Sequence, residues 1–200
     1  MKIHIMRLMV LLGLLMSLNA QAESFIESPQ MPNMLMYIQP LEYTSPIQLW
    51  HPYQGYWFYQ GPVVEAQAML KLKQVYGGVS LCDGNQSGKV LVWLQPRMFY
   101  NPQVQMFYSK VTANIYTGVG KFMASYEGES KVHGFINIAV DNWITQAYEL
   151  AIDDMVAKMQ ADLALQTLVA ATASTDNAAD SASCSMVTLF PVPKIRVMSF

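Results

Sequence analysis

Apolar and polar positions change period several times along the chain, and each change marks an element. From Gly61-Pro62 onward, Val64, Ala68, Leu72 and Val75 recur at helical spacing, with Glu65, Gln67, Lys71 and Gln74 on the other sides and Gly77-Gly78 as a stop. A continuous apolar run, Val90-Leu91-Val92-Trp93-Leu94, predicts a short strand covered on both faces, followed by a loop bracketed by Pro96 and Asn101-Pro102. Alternation then takes over. Phe107, Val111, Ala113 and Ile115 share one face and Tyr108, Lys110, Thr112 and Asn114 the other. In the next strand Phe122, Ala124, Tyr126 and Val132 oppose Lys121, Ser125, Glu127, Glu129, Lys131 and His133, and Thr117-Gly118-Val119-Gly120 joins the two as a hairpin. One sheet face is therefore expected to be core and the other wet.

Asp141 is placed to cap the strongest helix, whose stripe of Ile144, Tyr148, Ala151, Ile152, Met155, Met159 and Leu163 runs to about Val169. Residues 23–61 are broken by Pro29, Pro32, Pro40, Pro46 and Pro52, which leaves room only for short extended pieces such as Met34–Ile38. Residues 170–185 form an Ala/Ser/Thr/Asp-rich linker ending at Cys184, and residues 186–200, with Pro191 and Pro193, suit a sheet edge. The order predicts an α+β domain over residues 62–169. Its expected form is a two-layer sandwich, an antiparallel sheet of three to five strands covered on one face by two amphipathic helices.

The first 22 residues change the picture by adding an address. Lys2 and Arg7 precede an apolar run over residues 8–18, and Ala20-Gln21-Ala22 supplies small residues for cleavage, so the pattern is that of a secretory signal peptide cut after Ala22. The run is too short to span a bilayer. A periplasmic location is expected, with secretion as the alternative. Loss of the leader takes the twelve Lys and Arg to ten against fourteen Asp and Glu, a balance with no footprint for nucleic acid. No mature stretch has the length of a membrane span.

Export places Cys82 and Cys184 where thiols are oxidised, and one disulfide between them is expected. It would close a loop of roughly 100 residues, worth up to about 4 to 5 kcal/mol in the chain-entropy model, and would pin the C-terminal segment. The first mature residue is Glu23, not Cys, so no lipid anchor is expected.

Candidate chemistry is sparse. His51 and His133 are the histidines left after the leader, and neither lies in a nucleophile motif. Glu127 and Glu129 share a strand face about 7 Å apart, a spacing that suits a glycosidase pair, but Lys121 and Lys131 on the same face read as a solvated surface. Asp153 and Asp154 read the same way. Asp83-Gly84-Asn85-Gln86-Ser87-Gly88 matches the first half of a calcium loop, yet position twelve is Leu94 where a bidentate Glu is needed, so a turn is expected. Met31, Met34 and Met36 are thioethers of the kind that hold copper(I), and equally core gap-fillers. No catalytic residue, metal ligand or cofactor site is assigned. The densest feature is aromatic: Trp50, Tyr53, Tyr56, Trp57, Phe58 and Tyr59 form the candidate interaction surface.

The strand 90–94 with Gln95-Pro96, the hairpin over residues 105–132 and the helix from Asp141 together resemble small α+β envelope accessory proteins of Gram-negative bacteria, the YajG-like proteins and the auxiliary component of ABC-type transporters. The likeness covers about half the chain and lacks the lipobox Cys of those lipoproteins. It implies a non-enzymatic envelope protein that binds a protein or hydrophobic ligand. The other class kept open is a periplasmic hydrolase whose site is assembled in three dimensions. That would need a pocket converging on His51, His133 or the Glu127/Glu129 pair.

Overall fold

In a computed structural model, residues 31–117, 120–170 and 182–191 are described; the expected signal peptide, residues 118–119 of the expected hairpin connection, most of the Ala/Ser-rich run and residues 192–200 lie outside them. In chain order the elements are β1 (Met34–Ile38), α1 (Leu41–Thr44), β2 (Ile47–His51), β3 (Gln54–Phe58), α2 (Gln60–Tyr76), β4 (Val79–Leu81), β5 (Ser87–Gly88), β6 (Val90–Asn101), β7 (Met106–Thr117), β8 (Lys121–His133), α3 (Val140–Ala161), α4 (Leu163–Ala170) and β9 (Ala182–Ser183). A 3₁₀ turn, Cys184–Leu189, follows. The class is mixed α+β.

The main sheet has the order β4-β1-β6-β7-β8. Strands β6, β7 and β8 form the expected antiparallel meander, but β1 runs parallel to both β4 and β6, so the sheet is mixed rather than antiparallel. Parallel neighbours need a long crossover, and the stretch containing α2 supplies it between β1 and β4. Residues 31–61 thus contribute an interior strand of the sheet despite their prolines. With β1 and β7 on its two sides, the run 90–94 is buried on both faces, as its continuous apolarity predicts.

Three further local expectations are corrected. Pro96 does not end β6: it pairs in register with Val111, while β1 stops at Ile38 opposite Leu94, so no ladder partner from β1 requires an N–H at residue 96. Phe122 lies on the outer face, opposite Tyr116, because a bulge between Ile115 and Tyr116 flips the alternation in β8. Residues 187–189 belong to the 3₁₀ turn and not to an edge strand.

One sheet face and the two long helices share a core. Met34, Met36, Val92, Leu94, Phe107, Val111, Ala113 and Ile115 from the sheet join Val64, Ala68 and Leu72 of α2 and Ile144, Tyr148, Ile152, Met155 and Met159 of α3. Helix α3 approaches β8 so closely that a Cβ on Gly128 would sit 1.9 Å from the Ala151 carbonyl oxygen. The Ser109 and Ser130 hydroxyls both donate to the Ala147 carbonyl, each at 2.7 Å, and fix the helix to the sheet beside that contact.

The long helix departs from its expected form at both ends. Asp141 is not the N-cap, which is Ala139 without a side-chain bond; Asp141 instead accepts from the Tyr56 hydroxyl at 2.5 Å. At the far end α3 stops at Ala161, and Asp162 turns the chain into α4 by accepting from the N–H groups of Ala164 and Leu165 at 2.8 and 3.3 Å. The Tyr126 hydroxyl donates to the same carboxylate at 2.6 Å, and these bonds, Tyr126 first, hold its pKa below the ordinary carboxylate value.

The opposite sheet face carries a second cluster. Leu35 and Leu91 meet Ala182, Cys184 and Met186, flanked by Tyr37, Tyr116 and Phe190. Phe190 stacks on Trp93 with centroids 4.7 Å apart, and Gln39 Nε2 donates to the Pro191 carbonyl. The disulfide Cys82–Cys184, spanning 102 positions, holds this segment down as expected. The outer face is therefore dry at its β1 end and wet toward β8.

Candidate functional site

The aromatic stretch folds as the hairpin β2–β3, with Pro52 and Tyr53 at its tip. Its register pairs Ile47 with Phe58, Gln48 with Trp57, Leu49 with Tyr56 and Trp50 with Gly55. Because successive strand residues alternate, Ile47, Leu49, Tyr56 and Phe58 face inward and Gln48, Trp50, Gly55 and Trp57 face outward. The inward set is anchored in the core: Leu49 is fully buried and Phe58 is 8% exposed. Phe58 thereby leaves the candidate surface. The outward set is open, with Trp50 at 55% and Trp57 at 59%, while Tyr53 at the tip reaches 92% and Tyr59 47%.

Trp50 and Trp57 are diagonal neighbours across the ladder, a relation that places side chains about 7 to 8 Å apart at the backbone. Between them Gln48 folds over Gly55, where a Cβ would lie 2.2 Å from Gln48 Nε2. Gly55 opposite Trp50 leaves that indole without a cross-strand cover. Tyr56 is half-buried and ties the hairpin to α3 through Asp141; that bond, more than burial, pushes the Tyr56 hydroxyl up to about 12. Gln54 Nε2 adds a bond to the Ile136 carbonyl. The site is a rigidly held plate of two indoles and one amide, chemistry suited to stacking and hydrogen bonding, with no titratable group in it.

The other candidates lie elsewhere. His51 Nδ1 accepts from the Tyr53 N–H at 3.3 Å and its ring rests near Tyr53 and Tyr100, while His133 packs edge-on against Phe135. Among the described residues neither ring hydrogen-bonds a carboxylate or hydroxyl. Glu127 and Glu129 both pair with Lys110, at 2.5 and 3.5 Å, on the open sheet face, and Glu127 raises the Lys110 pKa more than Glu129 does. Asp153 pairs with Lys71 and Asp154 with Lys158, each at 2.8 Å. These carboxylates serve ion pairs. A concavity lined by Tyr37, Pro40, Tyr43, Glu65, Cys82 and Asp83 contains neither histidine and neither of the paired glutamates.

Met34 and Met36 are fully buried in the main core and Met31 is exposed. Residues 83–88 make a turn and the short strand β5, which pairs with β9, and Gly88 abuts Leu35 closely enough to exclude a Cβ. Among the described residues no three His, Cys, Asp or Glu side chains gather as metal ligands, and no helix is long and apolar enough to cross a membrane.

Sequence reasoning missed one group of exposed side chains, Val104, Phe135 and Ile138, which stand on loops at the end of the sheet beside the Tyr53 tip. Residues 134–139 do carry a signal, since they hold three apolar side chains larger than Ala without a single charge. Comparison of the chain with models of known protein families, with characterised proteins and with solved structures gives no match.

Proposed function

We propose that this chain is a non-enzymatic binding or accessory protein of the cell envelope that engages a protein partner or hydrophobic ligand through the outward plate of β2–β3. The observation that carries this reading is the pair Trp50 and Trp57, both more than half exposed on a hairpin whose other face is locked into the core. Large aromatic side chains held rigid and open are costly to hydrate and lose little entropy on contact. The wet end of the outer sheet face, on the other side of the sheet from the shared core, is the second surface of the same reading.

The leader pattern of residues 1–22 and the Cys82–Cys184 disulfide support a periplasmic location. The sharing of one core by α2, α3 and one sheet face supports a two-layer arrangement like that of the YajG-like and ABC-transport auxiliary proteins. Trp50→Ala combined with Trp57→Ala is the direct test. Capture of the partner from envelope extract by the wild-type chain should be lost in the double variant, while thermal stability stays within about 0.5 kcal/mol, as for other exposed substitutions. Equal capture by both proteins would refute the reading.

A further inference from the structure

Three connections converge at one end of the sheet. The Gly134 N–H donates to the Gln105 carbonyl at 2.9 Å, which joins the β8–α3 loop to the β6–β7 loop, and the Tyr100 hydroxyl donates to the Gly134 carbonyl at 3.2 Å. Gln54, at the base of the β2–β3 tip, bonds the Ile136 carbonyl. Each connection projects apolar side chains outward: Tyr53 and Ile138 almost wholly free, Val104 and Phe135 about half so. Residues 52–54, 102–105 and 134–139 contain no Asp, Glu, Lys, Arg or His.

The loops also satisfy part of their own polarity. Asn101 Oδ1 accepts from the Gln103 N–H and Asn137 Oδ1 from the Ala139 N–H, each at 3.0 Å, and His51 Nδ1 accepts from the Tyr53 N–H. Such internal bonds lower the penalty for removing these tips from water. Behind the tips the outer sheet face passes from a polar rung to an aromatic one and then to a charged one. The rung Asn101-Met106-His133 comes first, then Phe99-Tyr108-Lys131, with Phe99 stacked on Tyr108 at 4.6 Å and Lys131 over the Tyr108 ring, and then Arg97-Lys110-Glu129. Same-face rungs are about 6.7 Å apart.

We propose that this end of the protein inserts shallowly into the interface of a lipid bilayer. The uncharged tips suit the roughly 5 to 10 Å to which interfacial elements penetrate, and the stacked pair Phe99 and Tyr108 behind them suits the headgroup level that aromatic rings favour. A protein partner would need a matched recess for each of the convex projections at Tyr53 and Ile138, whereas a fluid bilayer requires none. Since the tips carry no charge, attachment is driven by apolar burial and is indifferent to lipid charge. The attachment is independent of the hairpin's partner.

The test is flotation of the exported chain, isolated after leader removal, with vesicles of pure phosphatidylcholine and with vesicles containing phosphatidylglycerol, at low and high salt. Co-flotation with both, insensitive to salt, is expected; Ile138→Asp should weaken it about tenfold or more and Val104→Asp should also reduce it, both at exposed positions that leave the fold intact. Trp57→Ala, which tests the hairpin reading, should float like wild type. No flotation with phosphatidylcholine, flotation with anionic vesicles that salt abolishes, equal flotation of Ile138→Asp, or stoichiometric capture of a protein through Ile138 in place of lipid would each overturn the proposal.

Discussion

Glu42 shows how a single residue sets part of the pH response. Burial raises its carboxyl above the ordinary 4.5, against the opposing pull of the Gln60 amide, which donates to it at 2.9 Å, and of the Arg97 charge. Gln60 in turn accepts from the buried Tyr148 hydroxyl at 2.5 Å, so the carboxylate ends a chain that reaches into the core. In the window between the unfolded value and the raised folded value, the native state binds more protons than the unfolded one, and stability falls as pH rises through it. Glu42→Gln keeps an acceptor for Gln60 and removes the charge. Thermal melts should therefore show a higher Tm than wild type at pH 7 and a flatter profile just above pH 4.5; a lower Tm at pH 7 would contradict this. The residue types of the plate, Trp50 and Trp57, were legible in the sequence, but the removal of Phe58 from it was not. That division follows from hairpin register, which two adjacent aromatic residues cannot reveal by themselves.

Helix α3 and strand β8 depend on a closeness that only glycine allows. With a Cβ at residue 128 the Ala151 carbonyl and the Met155 N–H would both have to move. Gly128→Ala should destabilise the fold by about 1 to 3 kcal/mol, read by urea denaturation, and a neutral effect would show that α3 is not seated where the structure puts it. Gly128 falls within the alternating pattern of β8, so the sequence predicts the strand but not why its alternation contains a glycine. The same element teaches the limits of periodicity elsewhere. The sequence extends the apolar stripe past Asp162 to Leu163, but α3 ends at Ala161 and Leu163 is exposed; the break comes from a side chain that caps the next helix, a competition that hydrophobic spacing does not register. Strand β6 runs through Pro96 because β1 is only five residues long, a fact of tertiary pairing and not of the local sequence. The direction of β1 was illegible for the same reason.

At the scale of the molecule, the disulfide and the two ends of the sheet organise the surface. The segment 182–191 is held by the β5–β9 pair, the Phe190 stack and the Gln39–Pro191 bond as well as by Cys82–Cys184. Reduction releases a constraint worth up to about 4 to 5 kcal/mol, most of it in the unfolded chain. Hydrogen exchange with and without reductant should show deprotection concentrated in β5, in β9 and in the 3₁₀ turn, ahead of β7 and α3; uniform deprotection would mean that the segment is an integral part of the main core. The leader-like pattern of residues 1–22 and the cysteine pair made this staple legible before any geometry. The convergence of three loops at the Tyr53 end was not, because residues 53, 104 and 138 are brought together only by the fold. The plate of Trp50 and Trp57 tests the functional reading most directly through photo-crosslinking in the cell. With a crosslinker at position 57 of the chain, and the comparably exposed Leu70 of α2 as control position, a discrete protein or lipid adduct is expected from 57 and not from 70. No adduct at 57, or the same adducts from both positions, would contradict a binding role for the hairpin.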